Sequence, residues 1–557
     1  MPEVTRRSLL AAGVGGLALL SLGGTPKNRG SDIRTTRSRA FGTAGTTLEQ
    51  SASASGSAGY RRLVAGPGFP LVVREELAAA RSGRDDTRTG LASIVQFTDL
   101  HMIDAQSPMR FEFLAATCPP YFRPHETLGT HAAAQLVDRV NQLATGPFSG
   151  RRFDCVVSTG DNSDNSETLE LEWFLSVMSG GSIVADSGSA AGWEGVQHSG
   201  DPLYYNPELA VRDRYKAAGF PRLDGFFDRV IAEHSSDGLQ TPWYSVFGNH
   251  DDSIGGTIPA DWSQLEELYT GTTKFTGFTT DAANATLGAG FSPRRHERLG
   301  RDISVDRRWQ VTADARRVPF TPTGFMQAHL DSTATGPGPV GHGFTPDAAA
   351  AGIAYYTFPI SPGVTGIALD STNRGGWTHG SLGHAQFLWL ENVLRSGDGE
   401  LFVVFTHHTS GSMDNPTPDP ERPDEVRHLG PEVIAMLHRY PAVLAWVNGH
   451  SHTNSITPRP GSTPAHGFWE INTASHIEFP QQARIIEVCD NHDGTLSLFT
   501  TLIESAAPYQ ASYDDGSQAA LAALYRELAL NDLSYTAAHG GLPRDQNTEL
   551  LLAHPLA

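Results

Sequence analysis

Ser93-Ile94-Val95-Gln96-Phe97-Thr98-Asp99-Leu100-His101 is a short β-branched apolar run that stops at a carboxylate and an imidazole two positions apart. Such a run reads as a buried strand, with Asp99 and His101 on the loop at its carboxyl end. The pattern recurs four times: Cys155-Val156-Val157-Ser158-Thr159-Gly160-Asp161, Tyr244-Ser245-Val246-Phe247-Gly248-Asn249-His250-Asp251, Phe402-Val403-Val404-Phe405-Thr406-His407-His408 and Leu444-Ala445-Trp446-Val447-Asn448-Gly449-His450-Ser451-His452. Strands of an α/β sheet bring their carboxyl ends to one rim, where such sheets place their sites. Five strand ends therefore predict one site.

Residues 131–145 put Leu136, Val137, Val140 and Leu143 on one stripe, and residues 383–394 do the same with Phe387, Leu388, Leu390, Val393 and Leu394. Helices are thus expected to cover the sheets. Residues 354–360 and 365–370 are expected to pair as a hairpin through Pro362-Gly363. The fold class is α/β. The spacing leaves large insertions near 165–240 and 253–352, rich in Gly, Pro and aromatics such as Trp193, Tyr204, Tyr205 and Trp262. These are expected to overhang the site and set substrate choice.

Carboxylate oxygen, amide oxygen and imidazole nitrogen suit divalent zinc, manganese or iron, and the lack of clustered Cys argues against a thiolate site. Asp99 and His101 can reach one ion if the chain turns at the strand end. Gly160 permits close backbone approach, so that Asp161 can bridge two ions. His450 and His452 can serve one ion each.

Taken in order, Asp99-Leu100-His101, Gly160-Asp161, Gly248-Asn249-His250-Asp251, the later pair His407-His408 and Gly449-His450-Ser451-His452 resemble the calcineurin-like metallophosphoesterase superfamily over roughly residues 90–505. The resemblance implies a two-sheet α/β/β/α sandwich with two divalent metal ions at the sheet rim. It implies Asp99, His101, Asp161 and His452 around the first ion, and Asp161, Asn249, His407 and His450 around the second, with His408 the alternative to His407. Two ions about 3.5–4 Å apart polarise phosphoryl oxygens and lower the pKa of a bridging water toward roughly 7, so that hydroxide attacks in line. The leaving oxygen then needs a proton, and the resemblance gives that role to His250. Asp164 matches a carboxylate that orients this imidazole in some members. Purple acid phosphatases place a metal-bound Tyr and a Gly where this chain has Asp164 and His101, so an iron–tyrosinate centre is disfavoured.

The chain has 557 residues and a net charge of −20, and its first forty residues hold seven Lys/Arg against two acidic residues. The remainder is therefore more acidic still, a poor nucleic-acid or anionic-membrane binder. Thr5-Arg6-Arg7-Ser8-Leu9-Leu10-Ala11 opens an apolar run that resembles a twin-arginine export signal over 1–24, followed by a flexible Gly/Ser/Thr-rich tether over 25–60. The run is too short to span a bilayer. Three cysteines, Cys118, Cys155 and Cys489, cannot build a disulfide framework.

Several other polar residues lie near the motifs. His379 and His384 read as solvated, and Cys155 as a small core residue. Asn165 and Asn448 read as turn formers or phosphate contacts. His476, Glu478, Asp104 and Arg110 are candidates to line the site. The metallophosphoesterase domain is expected over 61–505 and a helical extension over 506–557, with a helix at 517–530. The reading that follows is an exported, dinuclear-metal phosphoesterase acting on a small phosphoester, delivered by twin-arginine machinery to the periplasm, wall or medium. The rival is a non-catalytic exported metal-binding or cell-wall-associated protein. His250 speaks against it, because holding metal does not require that side chain.

Overall fold

The computed structural model describes residues 42–556, apart from 57–58, 117–118, 260–264, 278–306 and 377. The signal segment, most of the tether, Cys118 and Trp262 lie outside the described residues. The strand Thr89–Phe97, which ends in Asp99 and His101, runs parallel to Cys155–Ser158, and that strand runs parallel to Trp243–Ser245. On the other side Thr89–Phe97 pairs antiparallel with Gln482–Asp490, and Thr495–Glu504, Thr548–Ala553 and Val72–Arg74 complete a seven-stranded sheet. The second sheet has six strands in the order Tyr356–Ser361, Val364–Ala368, Leu401–Phe405, Val443–Asn448, Phe468–Asn472 and Ser455–Arg459. Its four middle strands are parallel, and the expected hairpin forms its edge.

Side-chain alternation stacks the layers. Ile94, Val157, Val403, Phe405 and Val447 meet between the two sheets. Their neighbours point outward: Val95 and Val156 pack on Leu136, Val137, Val140 and Phe174 of the helices Gly129–Leu143 and Thr168–Ser179. Val404 and Trp446 pack on Leu390, Leu394, Val433 and Met436 of His384–Ser396 and Gly430–Leu437. Each fully buried aliphatic or aromatic side chain here contributes about 1.5–3 kcal/mol. The result is an α/β/β/α sandwich with a continuous apolar run in each central strand, as strands buried on both faces require.

Three expectations change. The tether does not extend to residue 60: Gln50–Ser55 pairs antiparallel with Arg62–Pro67, and Thr47 Oγ1 donates to Leu502 O at 2.8 Å. Backbone pairing needs no apolar side chains, so a Ser/Ala stretch carries no hydropathy signal for it. The segment after 505 is not a helical appendage alone. Its helix Gln518–Leu530 packs on Gly129–Leu143, but Thr548–Ala553 enters the large sheet between Thr495–Glu504 and Val72–Arg74. Finally, Tyr204, Tyr205, Tyr215 and Phe220 do not overhang the site. They are buried with Phe122 and Tyr525 in an apolar cluster that ties the insertion to the body of the domain and to the helix Gln518–Leu530.

Candidate metal centre

Main-chain bonds stitch the strand ends together. Asp99 N donates to Gly160 O at 3.0 Å, His101 N to Asp161 O at 2.9 Å, Gly449 N to His407 O at 2.9 Å and Ile477 N to Asp99 O at 3.1 Å. The turns that do this are tight: Asp99, His101, Asp161, His450 and His452 all have left-handed backbones, with φ between 46° and 66°. Asp and His tolerate that region better than most residues, yet each such position still costs about 1–3 kcal/mol and persists only where surroundings hold it. Five of the ten non-glycine residues with such backbones among the described residues are ones the motifs singled out.

Ligand-capable atoms of Asp99, His101, Asp161 and His452 lie within 4.8 Å of one another. His452 Nε2 is 3.2 Å from Asp99 Oδ1, and His101 Nε2 is 3.7 Å from Asp161 Oδ2. Beside this set, Asn249 Oδ1 lies 2.9 Å from His407 Nε2 and 3.0 Å from His450 Nδ1, and the two ring nitrogens are 3.2 Å apart. Asp161 Oδ2 is also 3.2 Å from His407 Nε2, so one carboxylate reaches both sets. His408 stands next to them but both its ring nitrogens are engaged, Nδ1 with Ser371 Oγ at 2.9 Å and Nε2 with Thr378 O at 3.0 Å. His407 has Nε2 turned inward because Nδ1–H donates to Thr159 O at 2.9 Å. Ligand-capable nitrogens of His407, His408 and His450 lie within 4.8 Å of one another.

A second layer orients the ring nitrogens. His101 Nδ1 meets Asp164 Oδ1 at 2.8 Å, and Arg110 binds the other oxygen of Asp164 and Glu126. His452 Nδ1 meets Glu478 Oε2 at 2.9 Å, and Arg123 binds Glu478. Carboxylates of this kind fix the imidazole tautomer so that the opposite nitrogen faces the centre. Asp251 ties the loops: it accepts from the main-chain nitrogens of Asn162, Ser163 and Gly248 at 2.9–3.0 Å.

The charges fit cations. Burial opposes ionisation of Asp161, but His407, His250 and His101 outweigh it and hold the carboxyl well below its usual range. Burial likewise opposes charge on His407 and His452, yet Asp161 pushes the first up to about 9, and Glu478 with Asp99 pushes the second up to about 10. Burial drives His101 and His450 down, leaving neutral imidazoles. Carboxylates that retain protons on two neighbouring rings would favour divalent cations in place of those protons.

The residues present therefore suit two ions. His101 Nε2 is buried and has no hydrogen-bond partner among the described residues, an arrangement that costs free energy unless an electrophile occupies the lone pair. The cradle also has no spare room. A Cβ on Gly248 would lie 2.1 Å from Asp161 N and 2.2 Å from its Oδ1, and one on Gly449 would lie 2.5 Å from Asp99 Oδ2. Gly248→Ala is expected to displace Asp161, destabilise the fold by about 1–3 kcal/mol and lower metal content. Thermal melting and elemental analysis check both effects, and a variant with normal melting and full metal would contradict them.

His250 borders the first set, its ring edge-on to His101 with centroids 4.6 Å apart. Its N–H donates to Asp161 Oδ1 at 2.8 Å, and its Nδ1 to the main-chain oxygen of Asp164 at 2.9 Å. The Asp164 carboxylate is thus committed to His101 and Arg110, and stands 3.5 Å from His250 Nδ1. Asp164 positions both rings, His250 through its carbonyl. Of the other candidates, Glu478 reaches the site through His452, and Arg110 through Asp164. His476 is buried with its ring stacked on Tyr525. Asp104 binds Ser187 and Arg317 in a network behind the site. Asn165 caps a turn onto Glu170, and Asn448 bonds Glu470 and Asn472. His384 pairs with His428 at 2.9 Å on the surface. Arg123 carried no sequence signal, since it lies in a Pro-rich loop far from any motif.

No family model matches the chain, and no curated protein does either. Among solved structures, the chain is similar to a dimetal phosphatase from Danio rerio at 11% identity and a TM-score of 0.34, over 75% of this chain and 99% of that one. So loose a likeness carries no argument about the site, which rests on the side chains described above.

Proposed function

We propose that the protein is a dinuclear-metal phosphoesterase that hydrolyses a small phosphomonoester or phosphodiester, and that it acts outside the cytoplasm after twin-arginine export. The observation that carries the reading is Asp161, whose Oδ2 lies 3.7 Å from His101 Nε2 in one donor set and 3.2 Å from His407 Nε2 in the other. A bridging carboxylate between two oxygen–nitrogen donor sets is the arrangement that two-ion hydrolysis requires. Bound divalent ions would supply positive charge to the phosphoryl oxygens and acidify water at the centre. Asp161 fixes the separation of the two sets, and Asn249 and His450 close the second. His250 has Nδ1–H fixed on the Asp164 carbonyl, so a proton for the leaving oxygen would be carried on Nε2 of the doubly protonated ring.

Export is supported by Arg6-Arg7 ahead of an apolar run, and by a route that moves folded proteins with metal already loaded. The test is elemental analysis of the purified protein, coupled to hydrolysis of paired chromogenic monoester and diester substrates. Two ions per chain with turnover of at least one substrate type is the expected result. A protein that holds two ions and turns over nothing on a broad phosphoester panel is the binding protein of the rival reading.

A further inference from the structure

The insertion that follows Asp252 begins with a hairpin folded back on the centre. Ser253–Ile254 pairs antiparallel with Ile258–Pro259 across the turn Gly255-Gly256-Thr257. Gly256 N donates to Ser253 O at 3.0 Å, and Thr257 N to Ile254 O at 3.1 Å. Both glycines have left-handed backbones, with φ 53° and 66°, a conformation glycine adopts without the steric cost a side chain brings. The turn is anchored from two sides. Ile254 is buried with Met109, Phe111, Tyr269 and Phe275, and Ser166 Oγ lies 2.8 Å from His250 O and 3.2 Å from Ser253 O.

The tip of the turn rests on two residues of the centre. Asn249 Nδ2 donates to Gly256 O at 3.1 Å. A carbonyl oxygen only accepts, so the amide atom facing it is the NH2 group and the other end of the amide is the oxygen. That oxygen points at the second donor set, 2.9 Å from His407 Nε2 and 3.0 Å from His450 Nδ1. Without the Gly256 carbonyl, either end of the amide could face those rings, and an amide NH2 offers donors and no acceptor. The turn has no room for a side chain here: a Cβ on Gly256 would lie 2.4 Å from Asn249 Nδ2 and 2.5 Å from His250 Cδ2. A Cβ on Gly255 would meet Tyr121 Cε1 at 3.4 Å, an ordinary contact.

We propose that Gly256 is a positioning residue for the second ion: its main-chain oxygen holds the Asn249 amide with Oδ1 inward, and so requires an amide and not a carboxylate at that ligand. This inference rests on the two-ion reading of the centre and adds to it the reason one ligand is neutral. Charge alone favours Asp at this position, because a carboxylate brings the cation a negative charge that an amide lacks. A carboxylate would, however, set its second oxygen against Gly256 O at the 3.1 Å now spanned by the amide's hydrogen bond. Two acceptors facing each other in a buried place leave both unpaired, which costs more than a missing bond at the surface. The insertion thereby reaches the centre through a main-chain atom.

The test titrates the metal-stripped full chain with manganese(II) by calorimetry, for wild type, Asn249→Asp, Gly256→Ala and Gly255→Ala, with thermal melting of each. Asn249→Asp is expected to weaken the second ion by about tenfold despite its added charge, the scale of one buried hydrogen bond lost, and to leave the first ion as in wild type. Gly256→Ala should weaken the second ion at least as much, by displacing the amide. Gly255→Ala puts an alanine on an equally left-handed residue and should bind both ions as wild type does. A turn with a merely structural role gives another pattern: equal losses in the two glycine variants, and second-ion affinity in Asn249→Asp at or above that of wild type. Either of these results, or wild-type affinity for both ions in Gly256→Ala, overturns the assignment and leaves the two-ion reading intact. Should Gly256→Ala fail to fold, Asn249→Asp still decides. A wild type that takes up fewer than two ions overturns both.

Discussion

Asp161→Ala is expected to yield a folded chain that retains neither ion and has no turnover above background. The carboxylate is the shared element of the two donor sets, with one oxygen 3.7 Å from His101 Nε2 and 3.2 Å from His407 Nε2. Its other oxygen receives the His250 main-chain N–H at 2.8 Å. Removing it leaves each set with fewer anionic donors: Asp99, His101 and His452 on one side, and Asn249, His407 and His450, all neutral as ligands, on the other. A site of neutral ligands alone binds a hard divalent cation poorly. The loss also removes the negative charge that pushes His407 up to about 9 against the effect of burial, so that ring deprotonates more readily in the variant. Elemental analysis of dialysed protein reads the outcome. Two ions per chain in Asp161→Ala would mean that the donor sets are independent, and the bridging role of Asp161 would fall with it.

The amount of this centre that is legible in the sequence follows from what strands and tight turns require. A strand buried on both faces must be continuously apolar, so Cys155–Ser158, Leu401–Phe405 and Val443–Asn448 stand out, and the polar residues just beyond them stand out as well. Asp99, Asp161, His450 and His452 could be read because left-handed turns at strand ends admit few side chains, and Asp and His are among them. The second layer is another matter. Glu478 and Arg123 lie 355 positions apart and meet at 2.8 Å, and neither has a local pattern that distinguishes it from a solvated charge. The role of Asp164 was visible only in part: its distance along the chain from Asp161 fits a carboxylate near His250, but whether its side chain or its carbonyl faces that ring is set by Arg110 and His101, which no spacing reveals. Pairing of Gln50–Ser55 escapes for a different reason, because main-chain bonds to Arg62–Pro67 leave no trace in hydropathy. His379 shows the same blindness: its Asp414 partner is 35 positions away, and only the folded loop brings the pair to the rim.

His250→Ala is expected to keep both ions and to lower turnover by about 100-fold to 10,000-fold, the range of general acid catalysis. The imidazole lends no ring nitrogen to either donor set. Nδ1 is taken by the Asp164 carbonyl at 2.9 Å, and the ring meets His101 edge-on at 4.6 Å. The contact that links this residue to the centre, the main-chain N–H on Asp161 Oδ1 at 2.8 Å, survives truncation to alanine. Metal content therefore separates His250 from Asp161 cleanly. The side chain is 21% exposed, open enough for a leaving group to approach Nε2. A proton donor matters in proportion to the basicity of the oxygen that departs. Esters of acidic phenols should then lose little in the variant, and esters of alkyl alcohols should lose most. Kinetics on a series of esters with graded leaving groups reads this directly, as the slope of log kcat against the leaving group's pKa becomes steeper in His250→Ala than in wild type. Equal slopes in the two proteins, with metal intact, would remove the proton from His250 and assign it to solvent.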